Sequence, residues 1–546
     1  MKKIGPLFLF SLFTICSYSQ TASKAVIQRP RLVVGIVVDQ MRWDYLYRYY
    51  ARYGEGGFRR LLNEGFSCEN TLINYIPSYT AVGHSTIFTG SVPAIDGIAG
   101  NDWIDQLSGK HFYCTSDSTV QSVGAANVAD GKMSPRNLLV STITDELRLA
   151  TNFQSKVVGI SLKDRAAILP AGHAANSAFW LDDSSAHFIT STYYMKQLPD
   201  WVMKFNNQNH VAKLIEKDWT TLYPLSTYQE SDVDNEPYEG LFKGEKTPTF
   251  PHNIKLFYSK NRGSFRQTPF GNTLTLEFAE AAIEGYQLGR GEATDFLTIN
   301  IASTDYVGHQ YGPNSIEIED TYLRLDKELA DFFQMLDTKI GKGQYLVFLT
   351  ADHGAAHNIS FMQNHELPAD SWAGNHVADS LNKVLFEKFH TATLVRSIAN
   401  YQVNFDLNKI ADKNLDFTAI KNATVDFLQQ LPGISFAADM SFIGRYPIPE
   451  KLRQMMINGY CYRRSGQVQI ILNPGWFESS GKTGTTHGTW NPYDTHIPLL
   501  WFGWNIKPGK SNREVYMTDI SATLAALLHI QMPNGCIGQV IEEVAK

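Results

Sequence analysis

Two short segments of this 546-residue chain pair a carboxylate with an imidazole at metal-ligand spacing. In Asp305-Tyr-Val-Gly-His309-Gln-Tyr-Gly-Pro313 the two side chains stand four residues apart, so one helical turn sets them on the same face. Asp352 and His353 are adjacent and follow a strongly apolar run, where burying either group is costly unless it is paired or metal-bound. His487, before Gly488 and after a Gly- and Thr-rich loop, offers a further imidazole. Zinc takes such oxygen and nitrogen donors, which points to metal-assisted hydrolysis. His84, His357, His365, His376 and His496 are ligands by type only and rank lower.

A nucleophile is offered by Thr80. The segment from Tyr75 to Gly90 reads as a turn entering a helix with Thr80 near its start. Free amides and the helix dipole there favour an anion, a phosphate or an ionising alcohol. The plainer alternative is that Thr80 is an ordinary N-cap.

These groups need a scaffold. Runs rich in Val, Ile and Leu at Leu32 to Val38, Val157 to Leu162, Phe296 to Ile301, Tyr345 to Leu349 and Leu499 to Phe502 read as buried parallel strands. Helical patterns lie between them; Ile318, Tyr322, Leu325, Leu329, Phe332 and Leu336 make one apolar stripe. The alternation predicts an α/β fold, a doubly wound and mostly parallel sheet flanked by helices. Four runs end at groups able to bind metal or phosphate: Asp39, then Lys163 with Arg165, then Asp305, then Asp352 with His353. Ligand crevices of open α/β sheets lie at the carboxyl ends of the strands, so these residues are expected to converge. Residues 182–269 and 366–481 interrupt the alternation and read as cap insertions in a catalytic domain spanning 24–546.

Residues 1–20, with Lys2 and Lys3 before an apolar run, read as a signal peptide, so a periplasmic or secreted protein is expected. A net charge of −6 offers no basic field for polyanions, and neither nucleic acid nor membrane is expected as a partner. Cys68, Cys114, Cys461 and Cys536 remain after cleavage; pairing Cys68 with Cys114 and Cys461 with Cys536 keeps each bridge within its own part of the chain.

The stretch from Thr80 through Gly90, Pro93 and Gly97-Ile98 to Asn101 resembles the nucleophile block of the alkaline phosphatase superfamily, especially its nucleotide pyrophosphatase/phosphodiesterase branch. Asp305 to Pro313, Asp352-His353-Gly354, His487-Gly488 and Thr518-Asp519-Ile520 match other blocks of that branch, and the whole is most similar to the phosphate-irrepressible alkaline phosphatases of flavobacteria. The resemblance implies two Zn2+ ions, one held by Asp305, His309 and His487 and the other by Asp39, Asp352, His353 and Thr80. It implies a phosphothreonine at Thr80 and a phosphoryl contact from Asn101. Asp96 departs from it, since the phosphodiesterases commonly carry histidine before Gly97-Ile98.

Lys163 and Arg165 bear on which ester is cleaved. Two zinc ions against three aspartates leave a site of about +1, and two further cationic donors suit a monoester dianion better than a diester monoanion. A monomeric phosphatase of small phosphate monoesters is expected. The alternatives are a phosphodiesterase of the same superfamily and a non-catalytic, metal-stabilised binding protein for phosphorylated ligands. A sulfatase lacks its Cys/Ser-x-Pro-x-Arg context here, and Gly475 to Thr483 has five residues between its glycines where a P-loop has four.

Overall fold

Leu32–Val38 is buried at every residue, and a strand covered on both faces belongs in the middle of a sheet. In the computed structural model, which describes residues 28–125, 129–479, 481 and 483–546, it does lie there. Its neighbours are Tyr345–Thr350 and Asp295–Ile301, both parallel to it, with Leu32 opposite Tyr345 on one side and Asp295 on the other. Val157–Ile160 and Ser177–Asp182 extend the parallel run beyond Asp295–Ile301. The expected signal peptide, residues 1–20, lies outside the described residues.

The sheet has eleven strands and antiparallel flanks, so it is mixed rather than purely parallel. Leu499–Gly503, expected to be parallel, runs antiparallel to Tyr345–Thr350. Burial on both faces produces an apolar run whichever way a strand points, so composition carried no direction. Beyond it lies Phe66–Leu72, antiparallel to Leu499–Gly503 and parallel to Gly509–Tyr516. Toward the other edge His187–Ser191 pairs antiparallel with Ser177–Asp182, and Ser122–Val123 lies beyond it, so residues just after 182 belong to the main sheet.

Helices cover the sheet. Ile316–Leu336 buries the whole expected stripe from Ile318 to Leu336, and the Ser315 hydroxyl caps it by accepting from the Ile318 N–H at 3.2 Å. A second, four-stranded antiparallel sheet is built from Val395–Ala399, Gln402–Phe405, Val468–Leu472 and Ile434–Asp439. Helices Gly374–Phe389 and Phe417–Leu428 pack on it around a separate apolar core that includes Leu381, Leu385, Ile420, Leu428 and Val468.

All four described cysteines are free thiols, which corrects the expected disulfides. Their surroundings explain it. Cys68 sits near Trp501 and Arg513, whereas Cys114 sits near Asp164 and Arg165. Cys461 neighbours Arg464, and Cys536 lies against Gly90. Parity and chain proximity gave no such information.

Candidate active site

Three strand ends deliver carboxylates to one place. Asp39 follows Leu32–Val38, Asp352 follows Tyr345–Thr350, and Asp305 sits in the first turn of helix Ser303–Tyr311 after Asp295–Ile301. All three are buried, as are His353 and His487. Ligand atoms of Asp305, His309 and His487 lie within 4.8 Å of one another; so do those of Asp39, Asp305 and His353, and those of Asp39, His84 and Asp352.

The three expected histidine ligands share one arrangement. His309 Nδ1 donates to the Thr485 carbonyl at 2.8 Å, His353 Nδ1 to the Gly354 carbonyl at 3.0 Å and His487 Nδ1 to the Ser78 carbonyl at 2.7 Å. Each Nε2 lone pair then faces inward, the orientation that outer-shell bonds impose on metal-binding histidines. His309 Nε2 points at Asp305 Oδ1 at 3.1 Å, and His353 Nε2 at Asp352 Oδ2 at 3.3 Å. The His353 and His487 rings stack at 3.4 Å. Lone pairs facing carboxylate oxygens repel unless a cation lies between them. Asp39 Oδ1 and Asp352 Oδ2, both buried, have no hydrogen-bond partner. Donor types, tautomers and orphaned oxygens therefore fit a binuclear metal site.

Thr80 opens helix Thr80–Thr89, its Oγ1 3.3 Å from His353 Nε2. The helix reaches this spot because Gly83 lacks a Cβ, which would stand 2.4 Å from the Asp352 carbonyl oxygen. Asn101 Oδ1 accepts from the Ala81 N–H at 3.0 Å, which leaves its Nδ2 to donate elsewhere. Lys163 Nζ is buried between two carboxylates, 2.9 Å from Asp39 Oδ2 and 2.6 Å from Asp305 Oδ2. Arg165 donates to the Tyr113 hydroxyl at 3.2 Å, and its buried Nε has no acceptor. Lys163, Arg165, Arg266 and Tyr306 line a cavity of about 360 Å³.

The electrostatics follow from crowding. Burial and then the Asp352 charge push Asp39 well above the usual carboxylate range. Burial acts on Asp305 in the same direction, but His309 and Lys163 outweigh it and hold that carboxyl well below the range. His487 is kept well below the usual histidine value by burial and by the His353 ring beside it. Asp305 and His487 are thus held toward the unprotonated, ligating form, whereas Asp39 is disposed to keep a proton until a cation takes its place.

Some positioning groups were not visible in sequence. Gln40, at φ +64°, donates from its backbone to Asp352 Oδ1 at 3.1 Å and from its side chain to Asp305 Oδ1 at 2.8 Å. Asn300 Nδ2 donates to Asp39 Oδ2 at 3.2 Å. His84, which ranked low as a ligand, is buried with Nδ1 2.8 Å from the Thr80 carbonyl and 3.4 Å from Asp352 Oδ2. Its signal was the spacing of four from Thr80, one helical turn. His357, His365, His376 and His496 belong to none of the three clusters.

Comparisons with known proteins agree with this geometry. Residues 33–495 match the family "Type I phosphodiesterase / nucleotide pyrophosphatase". The chain is 54% identical over 519 residues to alkaline phosphatase PafA of Elizabethkingia meningoseptica, covering 95% of each chain. It is also 54% identical over 520 residues to alkaline phosphatase PhoV of Synechococcus elongatus, covering 95% of this chain and 94% of the other. The crystal structure of wild-type PafA superposes with a TM-score of 0.93 over 95% of this chain and 100% of that one. A PafA variant with one threonine changed to serine, and one asparagine, one lysine and one arginine changed to alanine, gives the same TM-score of 0.93. With orphaned carboxylates, inward-facing imidazoles and a helix-start threonine at one crevice, the chain belongs to the type I phosphodiesterase/nucleotide pyrophosphatase family of the alkaline phosphatase superfamily and is an alkaline phosphatase, a phosphomonoesterase.

Proposed function

We propose that this phosphatase hydrolyses small phosphate monoesters in two steps through a phosphothreonine at Thr80, with two zinc ions resident in the crevice. Asp305, His309 and His487 would hold one ion, and Asp39, Asp352, His353 and Thr80 the other. The observation that carries this reading is the common tautomer of the three histidines, each Nε2 turned toward an aspartate. Bound there, zinc supplies Lewis acidity, which lowers the pKa of a hydroxyl and offsets charge on a leaving oxygen.

The chain's own residues do the rest. Thr80 Oγ1 attacks phosphorus in line as the ester P–O bond breaks; the leaving oxygen takes a proton from water, and the threonine's proton passes to solvent. Water then attacks the phosphothreonine, the P–Oγ1 bond breaks, and Thr80 regains its hydroxyl as inorganic phosphate departs. The positive end of helix Thr80–Thr89 favours the anionic groups gathered at its first residue. Asn101, Lys163 and Arg165 donate to nonbridging phosphoryl oxygens, whose extra charge in a monoester matches two cationic side chains. The PafA variant altered at four residues of these same types supports the assignment.

The enzyme is proposed to be exported and to act as a monomer. Among the described residues no helix is long and apolar enough to cross a membrane. The deciding experiment compares an aryl monoester with a methyl aryl diester of the same leaving group. A higher kcat/KM for the diester would transfer the assignment to the phosphodiesterase alternative.

A further inference from the structure

We propose that Tyr113 is a positioning residue for phosphoryl transfer: its hydroxyl holds the Arg165 guanidinium in place without neutralising it, and the hairpin that ends at Tyr113 fixes Arg165 and Asn101 in one frame. The inference rests on the reading above, in which Arg165 and Asn101 donate to nonbridging phosphoryl oxygens.

The direction of the hydrogen bonds carries the argument. A carboxylate only accepts and a guanidinium only donates, so a phenol set between them can face one way only. The Tyr113 hydroxyl donates to Asp164 Oδ1 at 2.8 Å and accepts from Arg165 Nη1 at 3.2 Å. The other oxygen of Asp164, Oδ2, accepts from the Thr115 hydroxyl. Burial, with the Asp164 charge, pushes the Tyr113 hydroxyl well above the usual phenol value, so the proton that orients it stays on. Asp164 immediately precedes Arg165 in the chain, yet Arg165 Nη1 donates to the phenol instead of to this carboxylate.

That difference matters chemically. A carboxylate gripping the guanidinium at two points would offset its charge and occupy two of its five donors. One neutral hydroxyl takes a single donor and leaves the charge whole. Arg165 Nε is buried without an acceptor, and Arg165 lines the cavity of about 360 Å³ together with Lys163. The guanidinium is thus held at the cavity with its charge and most of its donors uncommitted, as a dianionic phosphoryl group requires.

The hairpin supplies the frame. Asp102–Ile104 pairs antiparallel with His111–Tyr113, and Asp102 stands opposite Tyr113. Asn101 comes just before the first strand, and its carbonyl accepts from the Cys114 N–H at 2.9 Å. Between the strands, Gln106 Nε2 donates to Asn404 Oδ1 at 2.8 Å while Gln106 Oε1 accepts from Gln467 Nε2 at 2.9 Å. Those bonds strap the hairpin to the four-stranded sheet. Two phosphoryl donors from different parts of the chain therefore share one support, Asn101 through the backbone and Arg165 through the Tyr113 hydroxyl.

The test is a double-mutant cycle on the metal-loaded enzyme, read as kcat/KM for an aryl monoester and for the matched methyl aryl diester. Metal content and Tm are measured on every variant. Tyr113→Phe should lower the monoester value by about ten- to a hundredfold and the diester value far less. In an Arg165→Ala background the same change should shift the monoester value by less than about twofold, because the hydroxyl then has nothing to hold. Equal losses from Tyr113→Phe in both backgrounds, or no loss in the first, would overturn the proposal while leaving Arg165 as a substrate contact. An undiminished monoester value in Arg165→Ala alone would instead defeat the reading beneath the proposal, and the proposal with it. If Tyr113→Phe does not fold, Asp164→Asn, which weakens the acceptor that orients the hydroxyl, takes its place in the cycle with the same outcomes expected.

Discussion

Thr80 Oγ1 lies 3.3 Å from His353 Nε2, a nitrogen whose tautomer is fixed from behind by the Gly354 carbonyl. In the mechanism proposed above, Thr80 would share a metal with His353. Thr80→Ala should fold and keep its metals but lose about a thousandfold or more in turnover, while Thr80→Ser keeps much of it. Steady-state rates and mass spectrometry of the acid-quenched enzyme check this. Phosphate trapped on another residue would defeat the assignment.

Lys163 and Arg165 are proposed to set the preference for a doubly charged substrate. Lys163→Ala with Arg165→Ala should lower kcat/KM for an aryl monoester by about a hundred- to a thousandfold, equivalent to about 3–4 kcal/mol. The matched methyl aryl diester should lose far less. Equal losses with metal still bound would make these two residues supports rather than contacts.

Prolonged chelation should abolish turnover, and added zinc should restore it. Asp305→Ala should bind less metal than the wild type, because Asp305 contributes to two of the three ligand clusters. Elemental analysis beside the rate assay tests both, and full activity after verified removal of metal would sink the binuclear reading.

Away from the crevice, Asp145 and His173 predict how stability varies with pH. Asp145 closes the capping box of helix Ile143–Ala150 and also bonds His173 at 3.2 Å. Burial would raise its pKa, but bonds from His173 and the Thr142 N–H outweigh burial and hold it below the ordinary 3.8. That contribution is present above pH 3.8 and is lost as the pH falls through the lowered value. His173 is shifted the other way: burial opposes its charge, yet Asp145 raises it above 6.5. Its share is full below pH 6.5 and disappears as the pH rises through the raised value. Asp145→Asn should therefore destabilise by about 1–3 kcal/mol in urea unfolding near pH 5.5. The difference should narrow near pH 8.5, and an unchanged difference would remove His173 from the account.

Gly459 ends a helix that docks against the loop leading to Thr80. A Cβ there would stand 1.6 Å from the Ile76 carbonyl oxygen, too close to accommodate without moving backbone. Gly459→Ala should cost about 1–3 kcal/mol and lower kcat more than it raises KM. Wild-type kcat in a destabilised variant would separate docking from catalysis.

The strand ends were legible because long apolar runs stop at polar residues, and Asp39, Asp305 and Asp352 stand at three such stops. Gln40 and Asn300 were not legible. An amide beside a carboxylate has no pattern until the strands are paired, and the positive φ of Gln40 belongs to the fold rather than to local propensity. Phe66–Leu72 was missed because it mixes Ser, Cys, Glu, Asn and Thr into a buried strand whose polar groups find partners only in the fold, Glu69 with Trp43 and Tyr47 and Thr71 Oγ1 with the Cys68 carbonyl. Direction failed at Leu499–Gly503 for the reason given by its burial, since neither face tells which end leads.

The central place of Leu32–Val38 has a consequence for how the molecule is made. It is the first described strand to leave the ribosome, and its two partners begin only at Asp295 and Tyr345. One edge of an apolar strand therefore stays open until synthesis reaches Asp295 and the other until it reaches Tyr345, the condition under which nascent chains aggregate. Gln40 meets Asp352 across a separation of 312 residues, so no truncated chain lacking the second half can assemble the crevice. Phosphatase activity in such an enzyme marks the completion of translation, and a chaperone that guards the first strand would set its yield.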